Sequence, residues 1–288
     1  MCIHMTASLN HIAAMRISSP VAASHGPQFT AQRIGDAILG RQADPFLNVD
    51  HFRMSAPTFP PHPHAGFSAV TYLLPESAGG MLNRDGRGDR HPILPGGVHW
   101  TAAGSGLVHE EVPDPVGSLA EGMQVFVRQP LDQEQLPAVV HHVDPAAMPV
   151  AAIGPGGWVR VVAGQFGDLV APFTPPSPVQ MLDIALAPGQ GLEWHNPWSA
   201  GGAAVYVFSG GIRIDDIAVS AQQVAVFERG VPSLRLAATV GDARLILLAG
   251  QPLDVPSIAS GPFVLSSQAA IDAAFARYRR GEMGAIPA

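Results

Sequence analysis

The sequence predicts an all-β chain, folded as two small barrels in tandem and finished by a short C-terminal helix. Three observations predict it. Strand-length runs of β-branched and aromatic residues recur along the chain; 31 glycines and 28 prolines, about a fifth of the residues, punctuate those runs without clustering; and one strand-turn-strand pattern occurs twice.

The runs come first. Val70-Thr71-Tyr72-Leu73-Leu74, Gln124-Val125-Phe126-Val127, Val159-Arg160-Val161-Val162, Val205-Tyr206-Val207-Phe208 and Leu245-Ile246-Leu247-Leu248 are each too short for a helix and rich in residues that suit a pleated surface. All five are predicted strands. The helix is predicted only at the C-terminus, where Ser267 is placed as an N-cap and Ile271, Phe275 and Tyr278 fall at i, i+4 and i+7. Gly281 then stops it, and Arg277, Arg279 and Arg280 suit the carbonyl end of its dipole.

The duplication is read from the turns. The run ending at Leu74 leads, through a glycine-rich stretch, to Ile93-Leu94-Pro95-Gly96-Gly97-Val98-His99-Trp100; the run ending at Phe208 leads through Ser209-Gly210-Gly211 to Ile217 and on to Phe227. The segment His141 to Gly157 is loose in pattern and holds Asp144-Pro145, Met148-Pro149 and Gly154-Pro155-Gly156-Gly157. The boundary is expected there, giving domains 1–145 and 146–288.

Composition narrows the function classes. The 288 residues are 47% hydrophobic and 14% charged, with net charge −7 and no lysine, so every basic residue is one of 16 scattered arginines. No phosphate-tracking stripe is present, and direct nucleic-acid binding is not expected. The single cysteine, Cys2, excludes an internal disulfide framework and any thiolate metal cluster. The first twenty residues lack the pattern of a secretory signal, and no window is apolar for the roughly 18 residues a membrane span needs. A cytoplasmic protein without membrane contact is the expectation.

Pro60-Pro61-His62-Pro63-His64-Ala65-Gly66-Phe67 runs directly into the first predicted strand. Alternate residues of a strand share a face, so His62 and His64 would point the same way about 6.6 Å apart. His109 and Glu111, in Leu107-Val108-His109-Glu110-Glu111-Val112, repeat the spacing. The plain alternative is a surface His-Pro-His among 12 histidines. The two pairs together point instead to a metal site of three imidazoles and one carboxylate. Glu110 competes for the carboxylate role, but alternation turns it away from His109, which favours Glu111. Zinc would close such a set into a tetrahedron, whereas iron(II), nickel, cobalt or manganese would keep open positions; ligand type alone does not rank them.

The stretch from Asp44 to Pro113 resembles the signature region of the pirin family, a branch of the cupins. It is carried by Asp44-Pro45-Phe46-Leu47-Asn48-Val49-Asp50-His51-Phe52, His62-Pro63-His64-x-Gly66-Phe67, Pro95-Gly96-x-Val98-x-Trp100, Thr101 to Gly106, and His109-x-Glu111-x-Pro113, in order. Arg160-Val161-Val162-Ala163-Gly164 and the closing Gly261-Pro262-Phe263-Val264 through Gly284 are similar to the pirin C-terminal domain. The resemblance implies two cupin-type (jelly-roll) domains packed in tandem, with one divalent metal, Fe(II) first and nickel, cobalt, manganese, copper or zinc as alternatives. The metal would sit only in the N-terminal domain, on His62, His64, His109 and Glu111. In the second half His195 stands alone and reads as a loop or core histidine. Ala65 and Ser68 depart from the usual pirin residues and are expected to alter the pocket mouth.

The same resemblance implies a quercetin 2,3-dioxygenase-like activity on a small aromatic substrate with O2, in which Glu111 takes the substrate hydroxyl proton. Phe52, Phe67 and Trp100 would wall the pocket, with simple barrel packing as the alternative for Phe67 and Trp100. It also implies a second, non-enzymatic reading: a metal- or redox-sensing regulator that binds a transcription factor or metabolic enzyme. A monomer is expected.

Overall fold

The computed structural model describes residues 15–239 and 241–287; Cys2 lies outside them. The first strands are β1 (Met15–Ser18), β2 (Val21–Ser24), β3 (Phe29–Ile34), β4 (Phe46–Met54), β5 (His62–His64) and β6 (Phe67–Leu73). They continue with β7 (Gly80–Asp85), β8 (Arg90–Ile93), β9 (Val98–Ala102), β10 (Leu107–Asp114), β11 (Ala120–Arg128) and β12 (Val139–Val143). Antiparallel pairing orders a seven-stranded sheet β12-β9-β6-β11-β4-β3-β2 and a four-stranded sheet β5-β10-β7-β8, the two walls of the first barrel.

The second barrel repeats that order. Its large sheet runs β1, Gln223–Phe227, Gly202–Ser209, Ala243–Gly250, Val179–Leu186, Trp158–Ala163, Val150–Ala152; its small sheet runs Gly191–His195, Ser233–Ala238, Gly211–Ile214, Ile217–Ser220. All five runs read from the sequence lie in strands, with Leu74 one residue beyond β6. The fold is mostly β, two cupin barrels and a short C-terminal helix. No helix among the described residues is long and apolar enough to cross a membrane.

Residues 141–157, loose by pattern, hold an edge strand of each barrel: β12 pairs with β9, and Val150–Ala152 pairs with Trp158–Ala163. Short strands broken by proline are what a sheet edge tolerates. We propose the division at 145/146 on that pattern, with two exchanges across it. β1, from the start of the chain, pairs with Gln223–Phe227 of the second barrel. The C-terminal segment returns to the first barrel, where Phe263, Leu265, Ile271 and Ala274 are buried with Ala65 and Val108.

Ser267 caps the C-terminal helix, Gln268–Arg279, by accepting from the Ala270 amide. Its buried face is Ile271 and Ala274, with Phe275 packed edge-on against Phe263 at 4.9 Å; of the expected Ile271-Phe275-Tyr278 stripe only Tyr278, 42% exposed, faces out. The second half of the helix stays on the barrel through Arg277, whose Nε donates to the Ser105 carbonyl at 2.9 Å. Gly66, at φ +83°, permits this docking: a Cβ there would lie 2.0 Å from the Val264 carbonyl oxygen.

All seven residues of β6 are buried because both of its faces are covered. One face carries Val70 and Tyr72, which join Val98, Trp100, Met123 and Val125 against Tyr206, Val224, Val226, Ile246 and Leu248 of the second barrel. The other face carries Thr71 into the first barrel.

Candidate metal centre

β5 lies antiparallel to β10 with His62 opposite His109 and His64 opposite Leu107. That register, with the period-2 spacing of His62 and His64, gathers three imidazoles on one inner wall. Ring centroids are 4.7 Å apart for His62 and His64, and 4.9 Å for each with His109. One nitrogen from each ring lies within 4.8 Å of the others.

The surroundings keep His64 and His109 in the form a cation binds. Burial first, then the neighbouring His62, pushes His64 down to about 3; burial first, then His64 and His62, holds His109 well below the usual imidazole range. A neutral ring has one lone pair, and two of the three tautomers are set by hydrogen bonds. His62 Nδ1 donates to the Pro60 carbonyl at 2.9 Å, and His109 Nδ1 donates to Asn83 Oδ1 at 3.3 Å. Both rings therefore turn Nε2 free. His64 Nδ1, buried, has no hydrogen-bond partner among the described residues. Three clustered imidazoles, two of them oriented from behind and the third with an unsatisfied nitrogen, fit a divalent transition metal.

Glu111 lines the same cavity, but its carboxylate lies outside the 4.8 Å cluster of ring nitrogens. Its Oε2 accepts from Thr71 Oγ1 at 2.5 Å. Burial pushes this carboxyl up to about 7, against the Thr71 hydrogen bond. The neighbouring Glu110 is turned to the other side of β10 and pairs with Arg84, as strand alternation requires.

The three histidines and Glu111 share a cavity of about 400 Å³ with Phe29, Phe52, Phe59 and Phe126, Met54 and Met81, and with Arg33, Asn48, Asp50 and Gln124. Phe126 packs 5.6 Å from His64, ring to ring. Phe52 is thus on the pocket wall. Trp100 is not: it points outward from β9, is 1% exposed, and packs in the core between the barrels, 5.6 Å from Phe173. Both faces of β9 are buried, so alternation alone could not tell inside from outside. Phe67 packs at a tilt against His64 and Phe126 without lining the cavity. Ala65 and Ser68, expected at the pocket mouth, are fully buried and do not line it either. His195, its side chain 72% exposed, is a surface residue.

Several polar residues of this wall gave no signal in the sequence. Thr71 and Gln124 sit inside predicted strands, where they read as ordinary β residues, yet Thr71 Oγ1 lies 2.5 Å from Glu111 and 2.9 Å from Gln124 Oε1. His99 is fully buried behind the site, its Nδ1 3.4 Å from His142 Nδ1, and His91 stacks on His142 at 5.0 Å. Burial, then His142 and His91, pushes His99 down to about 3.

Comparison with known proteins agrees with this architecture. The pirin family model matches residues 28–127, and the model of the pirin C-terminal cupin domain matches residues 181–284. Pirin-1 of Arabidopsis thaliana is 32% identical over 249 residues, 84% of each chain. The crystal structure of a quercetin 2,3-dioxygenase from Acinetobacter baumannii superposes with a TM-score of 0.84 at 28% identity, covering 94% of this chain and 98% of that one. A bacterial pirin from Escherichia coli, solved with nickel(II), shares the fold at a TM-score of 0.67 and 14% identity, over 83% of this chain and all of that one.

Proposed function

Because the chain belongs to the pirin family, we propose that it is a metal-dependent dioxygenase of flavonol-type substrates, working through His62, His64, His109 and Glu111. The observation that carries this reading is the meeting of three clustered imidazoles with a carboxyl pushed up to about 7 inside an aromatic cavity. Fe(II) is the metal we favour. A divalent cation bound there supplies Lewis acidity toward an enolic hydroxyl and the redox capacity for dioxygen.

The chain's own residues do the rest. His62, His64 and His109 present Nε2 or a free ring nitrogen from two neighbouring strands, and Glu111 can complete the set by turning one oxygen toward them. Glu111 is also the proton acceptor: Thr71 holds Oε2, which leaves Oε1 to take the hydroxyl proton of the substrate. A carboxyl pushed up to about 7 both accepts and returns a proton near neutral pH. Phe29, Phe52, Phe59 and Phe126 clasp flat rings and keep water from the reacting carbon.

The test is elemental analysis of the purified protein, followed by oxygen uptake with quercetin. Metal-replete wild type consumes oxygen, and His64→Ala abolishes both metal content and uptake. Absence of uptake by the metal-replete wild type rules out quercetin as a substrate.

A further inference from the structure

The inner wall of the first barrel carries a single transverse row of polar side chains. Register pairs Arg33 with Asp50, Asp50 with Gln124, Gln124 with Thr71, Thr71 with His99, and His99 with His142, across six adjacent strands. The row two residues along is apolar, with Phe52, Gly122 and Leu73 in the matching places. Three members, Arg33, Asp50 and Gln124, open into the cavity that holds the histidine cluster.

Asp50 is 7% exposed, and its carboxylate is gripped in a fork by Arg33, Nε to Oδ1 at 2.9 Å and Nη2 to Oδ2 at 2.8 Å. The guanidinium neutralises the charge, but each carboxylate oxygen keeps a further lone pair. A buried carboxylate facing a cavity of phenylalanines and methionines can only accept, so it asks its ligand for an O–H or N–H. Gln124, on the neighbouring strand, adds an amide that can donate or accept. Thr71, which touches Glu111, is two strands from Asp50, about 10 Å at the usual strand spacing. That separation suits a flat molecule of linked rings, held at one end beside Glu111 and bearing hydroxyls at the other.

We propose that Arg33, Asp50 and Gln124 form the specificity element of this cavity, reading phenolic hydroxyls on the substrate ring remote from the histidine cluster. The proposal rests on the flavonol reading above and adds the class within it: flavonols hydroxylated on the pendant ring, over those that are bare there. A bare ring would desolvate Asp50 without replacing its water, the kind of loss by which a hydrogen-bonding site rejects an analogue.

The experiment is anaerobic equilibrium binding of quercetin and of galangin, which lacks the pendant-ring hydroxyls, to the metal-loaded full chain. Metal content is measured for every variant. Wild type binds quercetin at least about tenfold more tightly than galangin; Asp50→Asn and, independently, Gln124→Leu weaken quercetin more than galangin, closing the gap. Equal affinity of wild type for the two flavonols overturns the proposal and leaves the flavonol reading standing. So does an equal loss for both ligands in both variants. Binding of neither flavonol by metal-replete wild type sinks the flavonol reading and this proposal with it.

Discussion

Arg33, Asp50, Gln124, Thr71, His99 and His142 cross the first barrel in one row, and the corresponding row of the second barrel is Val161, Leu182, Leu247, Val205, Ala225 and Ile17. Strand order is the same in both, so each member of one row has a counterpart in the other. Where β5 and β10 bring the histidines together, the second barrel pairs Trp194 with Leu234 and Leu192 with Leu236. Trp194, Leu234 and Leu236 are buried with the apolar row in one cluster. One sheet pattern thus builds a hollow, polar barrel and a solid, apolar one. The second barrel and the core between the two bury the apolar surface that holds the molecule together, and that burial allows the first to carry unpaired polar groups around its cavity.

The largest consequence is a pH dependence centred on the histidines of the first barrel. His64, His99 and His109 are all lowered by burial in the folded protein. Below the ordinary histidine value of 6.5 the unfolded chain takes up their protons and the folded metal-free chain does not, so each costs stability as pH falls. Glu111, raised to about 7, works the other way for one proton between 7 and 4.5. For these four groups the net difference is two protons, about 2.7 kcal/mol per pH unit, or about 5 kcal/mol from pH 6.5 to 4.5, and His141 and His142, also lowered by burial, act in the same direction. Urea unfolding of metal-free protein across that range measures it; a flat profile would show that these rings are not held neutral. The second expected effect, about 3–5 kcal/mol, is the cost of Leu247→Gln, which puts an amide into a dry, filled row. An unchanged urea midpoint would mean that the second barrel is not the solid one.

Metal addition is the next in size. A cation at a hundredfold over its dissociation constant raises unfolding free energy by about 2.7 kcal/mol, and His64→Ala removes that increment. Thermal unfolding with and without nickel(II) checks it, and an equal increment in wild type and variant would place the metal elsewhere.

The solid barrel was the easier half to read. Runs such as Leu245 to Leu248 announce strands by composition, and the His62/His64 and His109/Glu111 pairs announce themselves by spacing, because ligand type and period 2 are local properties. The polar row is not local. Gln124 and Thr71 stand 53 residues apart and meet only through strand register, which pattern within a strand does not encode. Trp100 shows the same limit from the other side: with both faces of β9 covered, its direction depends on what the second barrel packs against it. The pairing of β1 with Gln223–Phe227 joins residues more than two hundred positions apart, and no turn between them fixes the match.

The smallest effect is the most discriminating. Gln124→Leu installs in the first barrel the residue type that Leu247 supplies in the second. Gln124 lies at the wall of an existing cavity, so the leucine meets space and does not compress a packed core. The lost hydrogen bond is to Thr71, and Thr71 keeps Glu111 as a partner at 2.5 Å. The net change in stability is therefore within about 1 kcal/mol of zero, against several for the reciprocal Leu247→Gln. If urea unfolding gave the two substitutions equal costs, the polar row would be as much a packing element as the apolar one. The hollowness of the first barrel would then be a feature of shape alone, with no relaxed demand on its interior.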